Sequence, residues 1–182
     1  MFTKILSYTL RLTILCVAAA FALAMVYGKT EPMIEEQARK IEDQAQKEVL
    51  PAAERFEKVN EDYSVAFDKE SNPAGKIVKA SQQGYGGQIK IIAGIDNEDR
   101  VVGVKILEHS ETPGLGDGIT KENFTRQFGG KAASEIMLKR DGVGIDAITG
   151  ATISSRACIE AVKKGLDYIK QYEQNGETKV NK

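Results

Sequence analysis

The chain has no tryptophan, one histidine and two cysteines in 182 residues, and each scarcity closes a line of function. A lone His109 without a Cys-x-x-Cys pair cannot assemble a zinc or iron–sulfur ligand set, so no metal site is expected from this chain alone. Two cysteines allow one internal disulfide at most, and Cys16 lies in an N-terminal apolar run while Cys158 lies far along the chain. Neither reads as a bridge, and Cys158 reads as a small buried residue of a helix. No excess of either charge is present: 25 Lys and Arg stand against 26 Asp and Glu, interspersed, for a net charge of −1. A nucleic-acid surface is therefore not indicated. Also missing are a dinucleotide-binding glycine fingerprint and a nucleophile with its base and orienting partner. No catalytic residue is assigned, and a complete enzyme acting alone is not expected.

What it does have begins at the N-terminus. Leu12 to Tyr27 is an uncharged apolar run of sixteen residues, extended back through Leu10, Leu6 and Ile5 with Arg11 as the interruption. That is short of the ~20 residues of an average span, but Arg11 can snorkel its stem to the interface and Tyr27 sits where aromatic rings favour the headgroups. A cleavable signal peptide is the rival, since Ala20-Phe21-Ala22 and Ala22-Leu23-Ala24 are small-x-small sites. The apolar run continues past both, so a lipid-embedded anchor is the reading adopted. A lipoprotein is excluded because the large Leu15 precedes Cys16. Charge leaves orientation open: Lys4 and Arg11 precede the run, while Lys29, Arg39 and Lys40 follow it.

Length allows one domain beyond such an anchor and not two sizeable cores. Thr30-Glu31-Pro32 reads as a helix start, after which Ile34, Ala38, Ile41, Ala45 and Val49 share one face. This predicts a stalk helix ending near Pro51, with a shorter helical piece through Phe56; periodicity leaves open whether its apolar stripe meets a partner. Strands are predicted at Tyr63–Phe67 and Lys76–Ala80, separated by the turn chemistry of residues 71–75. Gln88–Ile95 and Arg100–Leu107 alternate, with Ile89, Ile91, Ala93 and Ile95 on one inward face and Val102, Val104 and Ile106 on the other strand's. Residues 96–99 then form a hairpin turn. Thr120–Phe128 predicts a short helix with Phe124 and Phe128 as a core pair, and Glu135–Leu138 a further strand. A final helix from Ser154 to Tyr172 buries Ile159, Val162, Leu166 and Ile169. The expected class is α+β: one transmembrane helix and a stalk, then a mostly antiparallel sheet with flanking helices. By residue, 1–28 form the anchor, 29–60 the stalk helices, 61–174 the globular domain and 175–182 a polar tail.

The segment with most chemistry in it is Asp146-Ala147-Ile148-Thr149-Gly150-Ala151-Thr152-Ile153-Ser154-Ser155, a small-residue loop opening the last helix. First-turn N–H groups have no intrahelical partner, and the peptide dipoles leave partial positive charge there, so a phosphate is stabilised at that end. Gly150 and Ala151 permit close approach, and Thr152 brings a hydroxyl. The bland alternative makes Thr152 and Ser154 helix caps. A second loop, His109-Ser110-Glu111-Thr112-Pro113-Gly114-Leu115-Gly116, follows a predicted strand and can lie flat against a planar ring. A third, Gly84-Tyr85-Gly86-Gly87, precedes the hairpin.

Asp-x-x-Thr-Gly-Ala-Thr resembles the flavinylation motif of the FMN-binding domains of the Rnf electron-transport complex and of the sodium-translocating NADH:quinone reductase. Glu-Thr-Pro-Gly-Leu-Gly and Gly-aromatic-Gly-Gly are similar to segments of the same domains, and the likeness runs from about Ile77 to Ile169. The resemblance implies FMN joined to Thr152 by a phosphoester, with Thr149 at the Ser-or-Thr position and Asp146 as the acidic residue required by a flavin transferase. It implies further cofactor contacts from Gly150, Ala151, Ser154, Ser155, Glu111, Thr112, Gly114, Leu115 and Gly116. Tyr85 either contacts the flavin or packs at a turn. The implied protein is a single-pass membrane component similar to the G subunit of the Rnf complex, with its flavin domain on the extracytoplasmic side of the cytoplasmic membrane, relaying electrons among partner subunits during Na+ or H+ transport. The C subunit of the quinone reductase is the alternative, though its members tend to be longer; a stand-alone anchored flavoprotein reductase and a domain that has lost its cofactor are two more.

Overall fold

Alternating β-branched runs joined by short turns favour a meander, and the computed structural model, which describes residues 2–139, 144–174 and 176, contains one. The chain divides into two units, Met1–Ile41 and Glu42–Lys182.

From Phe2 onward the first unit is helical, part of a single 48-residue helix α1, Phe2–Val49. Its large apolar side chains, among them Leu12, Ile14, Leu15, Phe21 and Leu23, are all exposed. Exposure of that many apolar groups suits hydrocarbon and not water, and this stretch is long and apolar enough to cross a bilayer once. The helix start expected at Thr30 lies inside α1. Thr30 does not cap; its hydroxyl donates back to the Val26 and Tyr27 carbonyls at 3.1 and 3.2 Å. Pro32 deletes one hydrogen bond, to the carbonyl of Gly28, and a helix of this length absorbs the loss.

In the second unit, strands β1 (Arg55–Lys58), β2 (Tyr63–Phe67), β3 (Pro73–Gln83), β4 (Gln88–Ile95) and β5 (Val101–Glu108) form one antiparallel sheet in sequence order. β1 replaces the helical piece expected through Phe56: Phe56 pairs with Ala66, and its ring joins the core on that face. Both faces of the sheet are covered. Tyr63, Val65, Val78, Ile89, Ile91, Ala93 and Ile95 face α3, Thr152–Gln174, whose Ile159, Val162, Leu166 and Ile169 are buried as the periodicity predicts. On the opposite face Ala66, Ile77 and Ile92 meet Ala45, Val49, Leu50 and Ala53, from the end of α1 and just beyond. There the cross-strand pair Gly94 and Gly103 leaves a bare notch: a Cβ on Gly94 would stand 2.3 Å from the Val49 carbonyl oxygen, and one on Gly103 would stand 3.1 Å from the Val49 Cα.

The hairpin turn forms where expected. Asp96 Oδ1 accepts from the Glu98 and Arg100 N–H groups at 2.8 and 2.9 Å. Immediately after it the register slips, so that Ile95 pairs with Val101 and Gly94 with Gly103. The extra residue is Val102, and a bulge flips everything beyond it. Val101, Val104 and Ile106 therefore pack inward while Val102, expected in the core, is 40 % exposed.

Between sheet and last helix the chain makes short turns of helix: a 3-10 segment at Gly116–Thr120, α2 at Glu122–Thr125, and further 3-10 turns at Arg126–Phe128 and Ala133–Glu135. Phe124 and Phe128 are the expected core pair, edge to face at 5.6 Å and 77°. Residues 135–138 are not a strand. Ala133–Glu135 turns, and only Leu138 bridges, in parallel, to Ile145. Apart from Gly176, the predicted polar tail of 175–182 lies outside the described residues.

Candidate functional site

Three loops and one helix end converge beside the α3 face of the sheet. Gly84–Gly87 closes the β3–β4 hairpin, with the Gly84 N–H on the Gly87 carbonyl at 2.8 Å. The loop after β5 lies directly under it: a Cβ on Gly84 would sit 2.2 Å from Glu111 Oε1, and one on Gly86 would sit 2.2 Å from the Ser110 carbonyl oxygen. A side chain at Gly86 would meet backbone and drive the loops apart, while one at Gly84 would displace the Glu111 carboxylate. The lower loop turns at Thr112-Pro113-Gly114-Leu115, with φ of +77° at Gly114 and the Leu115 N–H donating to the Thr112 carbonyl at 3.2 Å. Proline followed by a glycine of positive φ is type II turn chemistry.

A second such turn carries the chain into α3. Ala151 N–H donates to the Ile148 carbonyl at 2.9 Å, with Gly150 at φ +80°. Ser155, fully buried, braces it from inside: its hydroxyl donates to the Ala151 carbonyl at 2.9 Å and accepts the Ile148 N–H at 3.0 Å. The Ser155 N–H makes the first helical bond, to the Ala151 carbonyl at 2.9 Å. Ala151 is thus the cap position, and it has no side-chain oxygen to offer the first-turn donors. Thr152 is the first helical residue, exposed, with Ile153 and Ser154 behind it in the same turn. The cap reading of Thr152 and Ser154 fails on this geometry. Ser154 gives its proton to Glu111 Oε2 at 2.6 Å, so among the described residues no side chain caps the first-turn N–H groups.

These parts enclose a cleft of about 450 Å³ lined by Tyr85, Glu111, Thr112, Leu115, Gly116, Gly150, Ala151, Thr152, Ile153 and Ser154. Nine of the residues expected at a cofactor site are gathered here. Ser155 faces away as the brace, Gly114 crowns its turn without lining the cleft, and Thr149 is the exposed second residue of the Ile148–Ala151 turn. Asp146 lies outside the cleft on the exposed approach to it. Its carboxylate pairs with Lys139 at 3.1 Å, and Gln127 holds its backbone, accepting its N–H at 2.8 Å and donating to its carbonyl at 3.4 Å. Ile153 is the lining residue that sequence reasoning misses. The signal is present, since it is a large apolar residue off the buried stripe of α3, 56 % exposed. Behind the cleft, one turn below Ser154, Cys158 is fully buried. Burial, and then the charge of Glu111, push its thiol up to about 12.

The cleft has a polar end, where an exposed hydroxyl meets the first-turn N–H groups of α3, and an apolar wall of Leu115, Ile153 and Tyr85. Its volume is that of a small-molecule site. A ligand with a phosphate at one end and a planar ring at the other fits this donor set.

Comparison with known proteins defines the class first: residues 84–167, which hold all three loops, match the FMN-binding domain family. A protein of Methanosarcina acetivorans, named as the G subunit of an ion-translocating oxidoreductase complex, is 33 % identical over 174 residues, 89 % of this chain and 93 % of the relative. The G subunit of the proton-translocating ferredoxin:NAD(+) oxidoreductase complex of Clostridium ljungdahlii is 32 % identical over 91 % of this chain and 92 % of its own length. The chain belongs to this family of G subunits of ion-translocating oxidoreductase complexes. Its fold is shared with the crystal structure of NqrC from Shewanella oneidensis, at a TM-score of 0.50 and 20 % identity over 66 % of this chain and 73 % of that one. With one apolar span among the described residues and membership of that family, the chain is a single-pass membrane protein.

Proposed function

We propose that this chain is the membrane-anchored electron-transfer subunit of an Rnf-type ferredoxin:NAD oxidoreductase, that it carries FMN on Thr152, and that it relays electrons between partner subunits of a complex that couples redox chemistry to Na+ or H+ transport. The observation that carries this reading is the position of Thr152: an exposed hydroxyl on the first residue of a helix whose first-turn N–H groups no side chain caps among the described residues, at the polar end of a cleft with an apolar wall. When bound, FMN supplies one- and two-electron redox chemistry.

The residues divide the work of holding it. The first turn of α3 would receive the phosphate, with the Thr152 hydroxyl as the ester oxygen. Leu115, Ile153 and Tyr85 would shield the ring from water. Asp146, outside the cleft and in solvent, is accessible to a maturing flavin transferase rather than to the cofactor. On the family resemblance the domain lies outside the cytoplasmic membrane, and there an ester has a purpose, because a cofactor lost on that side could not readily be replaced. Ordering the site on a rigid sheet and helix suits relay between carriers.

Covalent attachment is tested by expressing the full chain with a flavin transferase and looking for flavin fluorescence on the denatured protein band. Thr152→Ala should be dark, Thr152→Ser should recover signal, and Asp146→Asn should be dark although it folds normally. A dark parent band, from a transferase active on another acceptor, overturns the covalent reading.

A further inference from the structure

Glu111 is the one charged side chain among the described residues that the fold takes out of solvent, at 5 % exposure. It has no ion-pair partner among those residues. Its carboxylate is held by dipoles alone, Oε1 accepting the Gly86 N–H at 3.1 Å and Oε2 the Ser154 hydroxyl at 2.6 Å. Burying a carboxylate without a counter-charge is costly, and a sequence that only needed to join two loops could do so with a neutral amide. The carboxylate also lines the cleft. None of the described residues that line the cleft is a Lys, Arg or His, and interactions of charge are strengthened where water is excluded. Its field already reaches the neighbouring Cys158, where it adds to the effect of burial.

We infer that Glu111 is a positioning residue that also tunes the site: it staples the Tyr85 loop to α3, and its uncompensated negative charge lowers the reduction potential of the cofactor in the cleft. The inference rests on the FMN reading above. Reduction that takes up more electrons than protons would add negative charge beside a buried carboxylate, so the reduced form is disfavoured relative to the same site without that charge.

Two substitutions separate charge from shape. Glu111→Gln keeps an acceptor for the Gly86 N–H and an amide beside the Ser154 oxygen, but removes the charge. Glu111→Asp keeps the charge and shortens the staple. The full chain, matured with a flavin transferase and purified in detergent, is titrated by absorbance against redox dyes, with a thermal melt of each variant. The expected result for Glu111→Gln is a reduced-to-oxidised ratio at fixed potential raised about tenfold, an upward move of ~30 mV for a two-electron couple, with the melt near that of the parent. Glu111→Asp should stay near the parental ratio despite a lower melting temperature. A purely structural staple gives the opposite pattern, Gln at the parental ratio and Asp displaced, and that result overturns the inference. If Glu111→Gln does not fold, Asp decides alone: the parental ratio supports the inference, and a tenfold rise removes it. A parent without flavin refutes the functional reading itself, and the inference falls with it.

Discussion

Gly150 joins the backbone and the cleft in one position, which makes its replacement by alanine informative. Its φ of +80° lies in the left-handed region, where a Cβ costs about 1–2 kcal/mol. The same Cβ would stand 2.8 Å from Leu115 Cδ1, the tip of a flexible side chain, and moving that tip off its rotamer costs about 0.5–1.5 kcal/mol. Against these stands the reduced freedom of the unfolded chain, a gain of about 0.4–1 kcal/mol. The net expectation for Gly150→Ala is a loss of about 1–2 kcal/mol. Asparagine tolerates positive φ far better than alanine but carries the same Cβ, so Gly150→Asn should recover most of the stability and none of the cleft shape. Urea unfolding of the full chain in detergent measures the first quantity, and the rate of flavin incorporation by a transferase measures the second. Both variants should incorporate flavin slowly, because Leu115 is displaced in each. Alanine and parent within about 0.3 kcal/mol of each other, or asparagine as unstable as alanine, would refute the backbone part of the reasoning. Normal incorporation in both would refute the cleft part.

The raised thiol of Cys158 makes a pH prediction: between pH 9 and 12 the unfolded chain releases a proton that the folded chain keeps, so its contribution is intact below pH 9 and lost as pH rises through that window. By pH 10 the loss is about 1.4 kcal/mol, measured as the narrowing of the stability gap between the parent and Cys158→Ala in urea titrations at pH 8 and pH 10; a constant gap would contradict it. The bulge at Val102 predicts unequal tolerance of charge on neighbouring inward and outward positions. Val102→Asp should change stability by no more than about 0.5 kcal/mol, whereas Val104→Asp, at a buried site, should prevent folding; equal damage at both positions would mean that the bulge is misplaced.

The strands, the final helix and the phenylalanine pair are legible because each has a period that binds it to one face. Ile89, Ile91, Ala93 and Ile95 recur every second residue, and Ile159, Val162, Leu166 and Ile169 every third or fourth. Elements fixed by something other than period are misread. Val102 alternates correctly in sequence and is turned out by one inserted residue, which only the cross-strand register can reveal. Pro32 resembles a helix start because local rules weigh proline and a preceding threonine heavily, while the helix on either side outweighs them. Phe56 lies where helix and strand propensities compete, and pairing with β2 decides. At the cleft, the glycine loops and the Thr152 segment announce themselves by composition. The bond from Ser154 to Glu111, which removes Ser154 from the candidate caps, joins residues 43 apart in sequence and leaves no local trace. Neither does the hold of Gln127 on Asp146, across 19 residues.

The notch at Gly94 and Gly103 has an architectural meaning. The last turn of α1 lodges against bare backbone on one face of the sheet, while the cleft is assembled from loops and from α3, which packs on the other. Between that last turn and Thr152 stand five hydrogen-bonded strands, so the seat of α1 and the cleft are separated by the thickness of the sheet. The two faces of the sheet thus divide the labour, one seating the end of α1 and the other carrying the loops and helix that build the cleft.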